Sequence, residues 1–555
     1  MKRIVLKIIL CLLLIPAISS GEDLYEEQLN KGIRNSEPYT YLLIRQSEEN
    51  KAKEISILME ALKYSPDLPS AYFELSKARV GFSPNGTFKA IDYLVKGITA
   101  YKRNFWWSFT MAGSLLISAL LSFIISIVAI ILLRLPVDLP LLSHDIKEEK
   151  SRVLCLLVLL SSIIGPLFFI GSILIIIGLY MKRLDKAVVY IYLLVLLVSP
   201  WILNTASMFF SAPASGELKA IVQVNESKGN KYALSILRGR NNPVALFTYA
   251  LAMKREGGYS EAINIYNQLI ARSPSAELYN NLANCYFGIN DIEKAEELYK
   301  KSIQIQPLPI AYYNLSELFR GALNYEKGDE YYLAAQRLDS DAVSKFRTIF
   351  GNNPNRFVID KVLSGPDFWE YARNKTTSVS ALDLSIFPQA LMPIVAFLIG
   401  IVFYVFNMLF KTKAYRCKRC GTILCHKCEK RILWGRMCLQ CYRSLVKLDE
   451  LDAKERIARV QTIYEHEKKR RDIIKIITFI MPGSGQIFAG NILYGMFFLW
   501  AFLFFLFIPI TNYIFVPETS YFSHRWLSWW SLVIMFGIYF ISYILTKRRL
   551  AKGWL

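Results

Sequence analysis

Histidine is scarce in this chain, with only His144, His426, His466 and His524 among 555 residues. None stands in a Ser/His/Asp or His-Glu-x-x-His arrangement, so no recognisable hydrolytic triad or metalloprotease helix is present. His144-Asp145 borders an apolar run and reads as an interfacial contact rather than an acid/base pair. Acidic residues are also few, 45 against 66 Lys and Arg, which leaves a formal charge of +21. Spread over a soluble face, that surplus would suggest nucleic acid. It gathers instead where apolar runs end: residues 411–472 hold 18 Lys and Arg against 8 Asp and Glu, and Lys547, Arg548, Arg549 and Lys552 follow the last run. This is the pattern of cytoplasmic helix ends, and no nucleic-acid partner is expected. Charge is nearly absent from the clear apolar runs, which weighs against a transport path. No enzyme activity is expected.

Apolar residues, by contrast, make up 53% of the chain, with a mean hydropathy of +0.29. Residues 1–20 have a basic start (Lys2, Arg3, Lys7), an apolar run and a small-residue end, and read as a signal peptide or an uncleaved anchor; either would export the chain from Glu22 onward. Spans are expected within 105–133, 386–410, 494–515 and 527–545, each near or above the roughly 20 residues that cross about 30 Å of hydrocarbon. Between them, 153–203 holds a long apolar run to Met181, a basic turn (Lys182, Arg183, Lys186) and a second run. Three simple crossings would export that basic turn. A re-entrant hairpin at Gly165-Pro166 restores an even count; the alternative is one long kinked helix. The membrane bundle is placed at 105–208.

Between Pro243 and Asp339 a period of 33 residues recurs: Ala262, Ala295 and Gly328; Tyr266, Tyr299 and Tyr332; Pro274 and Pro307. A period of this length means stacked helical hairpins. The middle unit, Tyr279-x2-Leu282-Ala283-x2-Tyr286 followed by Ala295-x3-Tyr299 and Pro307, resembles the tetratricopeptide repeat (TPR). The resemblance implies a protein-binding solenoid over 209–384, with repeats at about 243–340. Asn280, Asn281 and Asn284, with Asn314 and Glu317 in the next unit, fall where TPR proteins line their concave groove, and are expected to be exposed and able to clamp an extended peptide backbone; a plain solvated face is the alternative. Leu282, Tyr286, Ala295, Leu298 and Tyr299 are expected in the core or between repeats, and Cys285 as a packing residue. Residues 22–104 carry weaker signals (Ala61, Pro66, Tyr72-x2-Leu75, Ala90-x3-Leu94) and are expected to form one or two TPR-like hairpins or a plain bundle.

Six of the nine cysteines lie between Cys417 and Cys441, as three Cys-x2-Cys pairs. Two such pairs complete a tetrahedral zinc site; a disulfide cluster competes if the segment is exported. The run resembles the last three pairs of a FYVE-type, treble-clef finger. That resemblance implies one shared Zn2+ on Cys417, Cys420, Cys438 and Cys441 within a finger at 411–445. Cys425 and Cys428 could complete a second site with His426 or another ligand, or remain a redox dithiol. The finger family's basic-His lipid motif is missing, so phosphoinositide recognition does not carry over.

A charged amphipathic helix is expected over 446–475. The sequence Pro482-Gly483-Ser484-Gly485-Gln486 is similar to the turn of small bacterial membrane hairpins, where glycines permit close helix approach, and it introduces a hairpin over 476–546 before the basic tail 547–555. Together these features predict a mostly α, multi-pass protein of a bacterial inner membrane, with exported repeats, a cytoplasmic zinc knuckle, and partners in a peptide or protein and the lipid bilayer. The expected role is a scaffold for assembly of an envelope complex. A membrane thiol enzyme and a transporter component are the alternatives.

Overall fold

The computed structural model describes residues 24–30, 32–80, 84–145, 156, 158–163, 165–350, 358–375, 391–409, 413–417, 419–425, 437–445, 452–515 and 525–552. The signal-like residues 1–20, His426, Cys428 and the last three residues of the basic tail lie outside that set. The fold is mostly α, and the chain divides into two compact units.

The first unit takes in residues up to Phe109 and Ser211–Lys375. Its repeats are three antiparallel hairpins: Pro243–Arg255 with Tyr259–Arg272, Ala276–Gly288 with Ile292–Ile305, and Pro309–Gly321 with Tyr325–Leu338. The 33-residue period extends to the helix ends. Asn242 and Ser275 cap first helices, and Asp291 and Asn324 cap second helices, each side-chain oxygen accepting a backbone N–H from the first turn. Gly257, Asn290 and Leu323, also 33 apart, turn the chain between helices with φ of +87°, +64° and +61°. Ala262, Ala295, Tyr266 and Tyr299 are fully buried, as small and aromatic residues that interlock adjacent helices should be. At Gly328 an added Cβ would lie 2.7 Å from Arg320 Cγ.

Helices Glu37–Glu49, Glu54–Tyr64, Pro69–Arg79 and Pro84–Ala100 form two further hairpins around Ile44, Leu58, Leu68 and Leu75. They join the segment Glu226–Lys228, which precedes the repeats, through a buried polar node. Lys228 Nζ lies 2.9 Å from Glu37 Oε1 and 2.7 Å from Glu226 Oε2, while the Phe105 N–H donates to Glu226. Burial opposes the Lys228 charge, but the two carboxylates outweigh it and hold the ammonium above its usual range. The Arg34 and Asn35 N–H groups both donate to Ser227 O, at 2.8 and 3.1 Å.

The second unit holds Thr110–Phe210, Thr376–Val516 and the C-terminal helix. Among the described residues, four helices are long and apolar enough to cross a membrane: Phe105–Asp145, Met392–Leu409, Ile492–Phe515 and Leu527–Ala551. Ala187–Leu197 and Ser199–Ala214, bent by 62°, would make a fifth. Ser114, Ser118, Ser122 and Ser126 form a buried stripe on the first helix, and Ser118 Oγ meets Thr511 Oγ1 at 2.8 Å. Small hydroxyl residues at this spacing let apolar helices approach and bond. At Gly165 the chain reverses: Ser161 Oγ lies 3.0 Å from Ser172 Oγ, whereas eleven residues of continuous helix would separate them by about 16 Å. The long kinked helix is thereby excluded. Gly171 and Gly178 then pack against Tyr192 and Val189, where a Cβ would come within 2.9 and 2.6 Å.

Two expected boundaries shift. The first apolar helix runs to Asp145 because Pro136 and Pro140 are accommodated within it. The charged helix is Ala453–Ile480, continuous through the boundary expected at 475, because the first residue forced out of the helical region is Met481, which precedes Pro482 and is extended. The glycine turn behaves as expected: at Gly483, φ +83°, an added Cβ would lie 2.2 Å from Gly495 O. Gln486 Nε2 and the Gly483 N–H tie this turn to Thr546 and Ser542 of the last helix.

Leu323 is the one non-glycine, non-asparagine residue in the recurrent left-handed turns of the repeats, and its side chain is exposed. Leu323→Asn, copying Asn290, should stabilise the protein by about 0.5–1 kcal/mol by relieving the left-handed penalty. Denaturant unfolding of the purified chain checks this; an unchanged or lower midpoint would refute it.

Candidate functional site: an asparagine-lined groove and a four-cysteine cluster

The groove is built by the first helices of the repeats. Tyr299 OH donates to Asn284 Oδ1 at 2.6 Å, and Tyr266 OH lies 3.5 Å from Asn281 Nδ2, so the buried signature tyrosines orient the amides. The expectation that these amides face solvent is corrected: Asn280, Asn281, Asn284 and Asn314 are at most 1% exposed. What covers them is the extended segment 359–363 of the same chain. Asn314 donates to Ile359 O and accepts from Ile359 N, at 2.8 and 2.7 Å. Asn281 does the same for Lys361, at 2.8 Å each way. Asn284 Nδ2 donates to Ile359 O, and the Leu363 N–H donates to Asn225 Oδ1. Asn280 does not touch the segment in these bonds; it links Asn281 to Asn314. Glu317 turns aside to Arg320 at 3.1 Å.

The contacts alternate along the strand at residues 359, 361 and 363, so one edge of an extended backbone is satisfied by side-chain amides that both donate and accept. Asp360 faces Lys254 Nζ and Arg255 Nε, and accepts from Asn284 Nδ2 at 2.9 Å. Burial alone would raise its pKa, but the two cations hold the carboxyl well below the usual carboxylate range. Asn225, Lys254, Arg255 and Asp360 escape sequence reasoning. One signal for the first was available: Thr248 stands 33 residues before Asn281, and its Oγ1 accepts from Asn225 at 3.1 Å. Cys285 is fully buried, and burial pushes its thiol up to about 12, so it is an inert packing residue.

The second constellation is the cysteine cluster. Strands Tyr415–Arg416 and Ile423–Leu424 pair antiparallel, with Gly421 at φ +79° closing the turn between them. Cys417 and Cys420 sit on this hairpin, while Cys438 and Cys441 flank the start of helix Leu439–Leu445. All four Sγ atoms lie within 4.8 Å of one another, with Cys417–Cys441 at 3.8 Å and Cys420–Cys438 at 3.7 Å. These gaps are far beyond a disulfide bond of about 2.05 Å. They match the edge of a tetrahedron with metal–sulfur bonds of about 2.3 Å, which is about 3.8 Å. The Cys441 N–H donates to Cys438 Sγ at 3.3 Å, the kind of backbone bond that steadies a thiolate ligand. Burial pushes the Cys438 thiol up to about 11 and Cys441 higher; at Cys420 burial acts the same way, but bonds with Thr422 bring it down to about 7. Cys425 is not part of this foursome, and its expected partners Cys428 and His426 lie outside the described residues. Ile463 of helix Ala453–Ile480 closes the cluster core, and Arg419 pairs with Glu467 of that helix at 2.7 Å.

Residues 276–307 match the family model for the tetratricopeptide repeat. Among solved structures, the chain is similar to the TPR domain of P58(IPK), with 14% identity, covering 57% of this chain and 99% of that one at a TM-score of 0.15. A search of the curated proteins finds no match.

Asn314→Ala would strand the buried N–H of Ile359, whose C=O keeps the Asn284 amide, so it should cost about 1–3 kcal/mol, approaching the roughly 2–5 kcal/mol of Leu298→Ala. Chemical denaturation of the two variants tests the ordering; a near-neutral Asn314→Ala would mean the segment is not held. The Asp360 contact has a defined pH window. A carboxyl depressed in the fold contributes above its unfolded value of about 3.9 and loses that contribution as pH falls through the lower folded value. The melting difference between wild type and Asp360→Asn should therefore be constant from about pH 5 to 8 and shrink below about pH 4.

Proposed function

We propose that the protein is a multi-pass membrane scaffold whose exported TPR repeats hold protein partners in an envelope complex, with a cytoplasmic zinc knuckle at the basic ends of its helices. The observation that carries the reading is the row of Asn amides that holds an extended backbone by both its N–H and C=O groups. Such a groove accepts polypeptide, and nothing in it assembles a nucleophile with a base.

Connectivity supports the proposed sidedness: the described parts of residues 24–104 and 211–375 group into one compact unit, which favours a chain that leaves from and returns to the same side. Helix Phe105–Asp145 supplies one crossing and the bent pair Ala187–Leu197 and Ser199–Ala214 the other. Helix Pro166–Tyr180 spans only about 22 Å, and with the reversal at Gly165 it fits a re-entrant hairpin. Lys182, Lys186 and Lys413 then share one end with Arg134, held by Asn491, Asn407, Leu179 O and Asp138 respectively. Basic residues gathered at one helix end favour the cytoplasmic side. A reducing compartment suits Cys417, Cys420, Cys438 and Cys441 as thiolate ligands of one structural Zn2+, which would fix the hairpin to helix Leu439–Leu445.

Single cysteines at Ser273 and Gln461, in a background without reactive native thiols, should divide in intact spheroplasts: only the first reacts with a membrane-impermeant maleimide. Labelling of Gln461→Cys alone would invert the assignment. The purified chain should carry one zinc, retained in Cys425→Ser and lost in Cys417→Ser/Cys438→Ser; full zinc content in the double variant would reject the site. Crosslinking in membranes followed by affinity capture should recover a defined set of envelope proteins, lost when residues 243–338 are deleted. Oxidation of a substrate that depends on Cys425 would support the thiol enzyme instead.

A further inference from the structure

The groove of the repeats is filled by its own chain, and the bonds that fill it divide into two kinds. Asn225, Asn281 and Asn314 contact only the backbone of Leu363, Lys361 and Ile359. They impose an extended conformation and read no side chain. Side-chain recognition rests on two neighbouring residues. Ile359 enters the apolar cluster of Ile310, Tyr313 and Val343, and Asp360 sits between Lys254 and Arg255. Lys361, Val362 and Leu363 remain half-buried. Beyond its backbone bonds to the amides, which water can replace, the segment is anchored by only one aliphatic side chain and one carboxylate, so its local release need not await global unfolding. Release would open the asparagines to water, which satisfies them. It would also leave Lys254 and Arg255 together at the groove without a carboxylate, so a replacement occupant must bring one.

Resting on the scaffold reading, we propose that residues 359–363 are a resident competitor, and that the groove accepts in their place an extended acidic peptide of a partner protein, an aliphatic residue followed by Asp or Glu. The tethered segment competes at high effective concentration, so exchange is set by how well the incoming carboxylate and backbone match. The partner thus reads two side chains and is otherwise recognised by its extended shape.

The test uses the full-length protein in detergent and a fluorescein-labelled peptide copying residues 357–365. Asp360→Asn weakens the resident segment and leaves the groove intact, so this chain should bind the peptide at least tenfold more tightly than wild type. A peptide with Asn in place of its Asp should lose at least tenfold in affinity for either chain, and Lys254→Glu should shift preference to a peptide with Lys there. If Asp360→Asn melts as a folded protein yet binds the peptide no better than wild type, the segment is a fixed part of the fold and the proposal fails. Should that variant not fold, hydrogen exchange on the wild type decides: saturating peptide should speed exchange of the Ile359 and Lys361 amides at least tenfold while sparing helix Pro309–Gly321, and unchanged protection would overturn exchange. Failure here with partner capture preserved would place the partner on another face of the repeats; loss of capture from the intact chain is what removes the scaffold reading itself.

Discussion

The Lys228 ammonium, shared between Glu37 and Glu226, is the contact on which the organisation of the first unit depends. It joins residues separated in sequence by the entire first apolar bundle, and Glu226 also receives the Phe105 N–H, where the first long helix begins. A buried charge with one partner removed typically costs 3–5 kcal/mol. Two carboxylates around one ammonium are therefore satisfied only when the N-terminal hairpins and the segment Glu226–Lys228 are in place together. Both sequences flank the apolar helices 105–214, so the side-chain network ties together chain segments that hydropathy alone does not relate.

The groove solves a different problem with the same logic of satisfaction. An extended strand without a sheet partner leaves its N–H and C=O groups in need of bonds. Primary amides answer both needs from one side chain, which is why Asn281 and Asn314 can each serve one residue of the strand completely. The buried tyrosine hydroxyl on Asn284 fixes its orientation, and the Asn280 link couples neighbouring amides. Specificity is added only at Ile359 and Asp360. The arrangement is therefore general for backbone and selective for one charge.

The repeat fold was legible because its determinants are local and periodic. Small residues at Ala262, Ala295 and Gly328, caps at Asn242 and Ser275, and turns at Gly257 and Asn290 all act within a few residues of their own position. The cysteine spacing was legible for the same reason, since a Cys-x2-Cys turn holds both sulfurs by local geometry. The asparagines were expected to be exposed, and they are buried. The chain that covers them lies 45 to 80 residues away in sequence, in an irregular stretch with no period to mark it. Lys228 and Asp360 were invisible for the same reason: a charge in a sequence does not announce whether water or another residue neutralises it.

The basic surplus that first suggests nucleic acid is, in part, structural. Lys182 Nζ bonds Asn491 Oδ1, Lys413 Nζ bonds Leu179 O, and Arg416 Nε bonds Val137 O. Leu179 O lies in the last turn of helix Pro166–Tyr180, where carbonyls lack intrahelical donors and the helix dipole favours positive charge. Asp145 completes the set, accepting from Tyr180 OH and from the Ala414 N–H that leads into the cysteine hairpin. A helix end that would otherwise carry an unsatisfied carbonyl is thus closed by one of the side chains that give the chain its charge. The cysteine hairpin is bonded to the first long helix through Ala414 and Arg416, so metal binding by its cysteines would stiffen the attachment of the charged helix Ala453–Ile480 to that helix rather than create a separate domain.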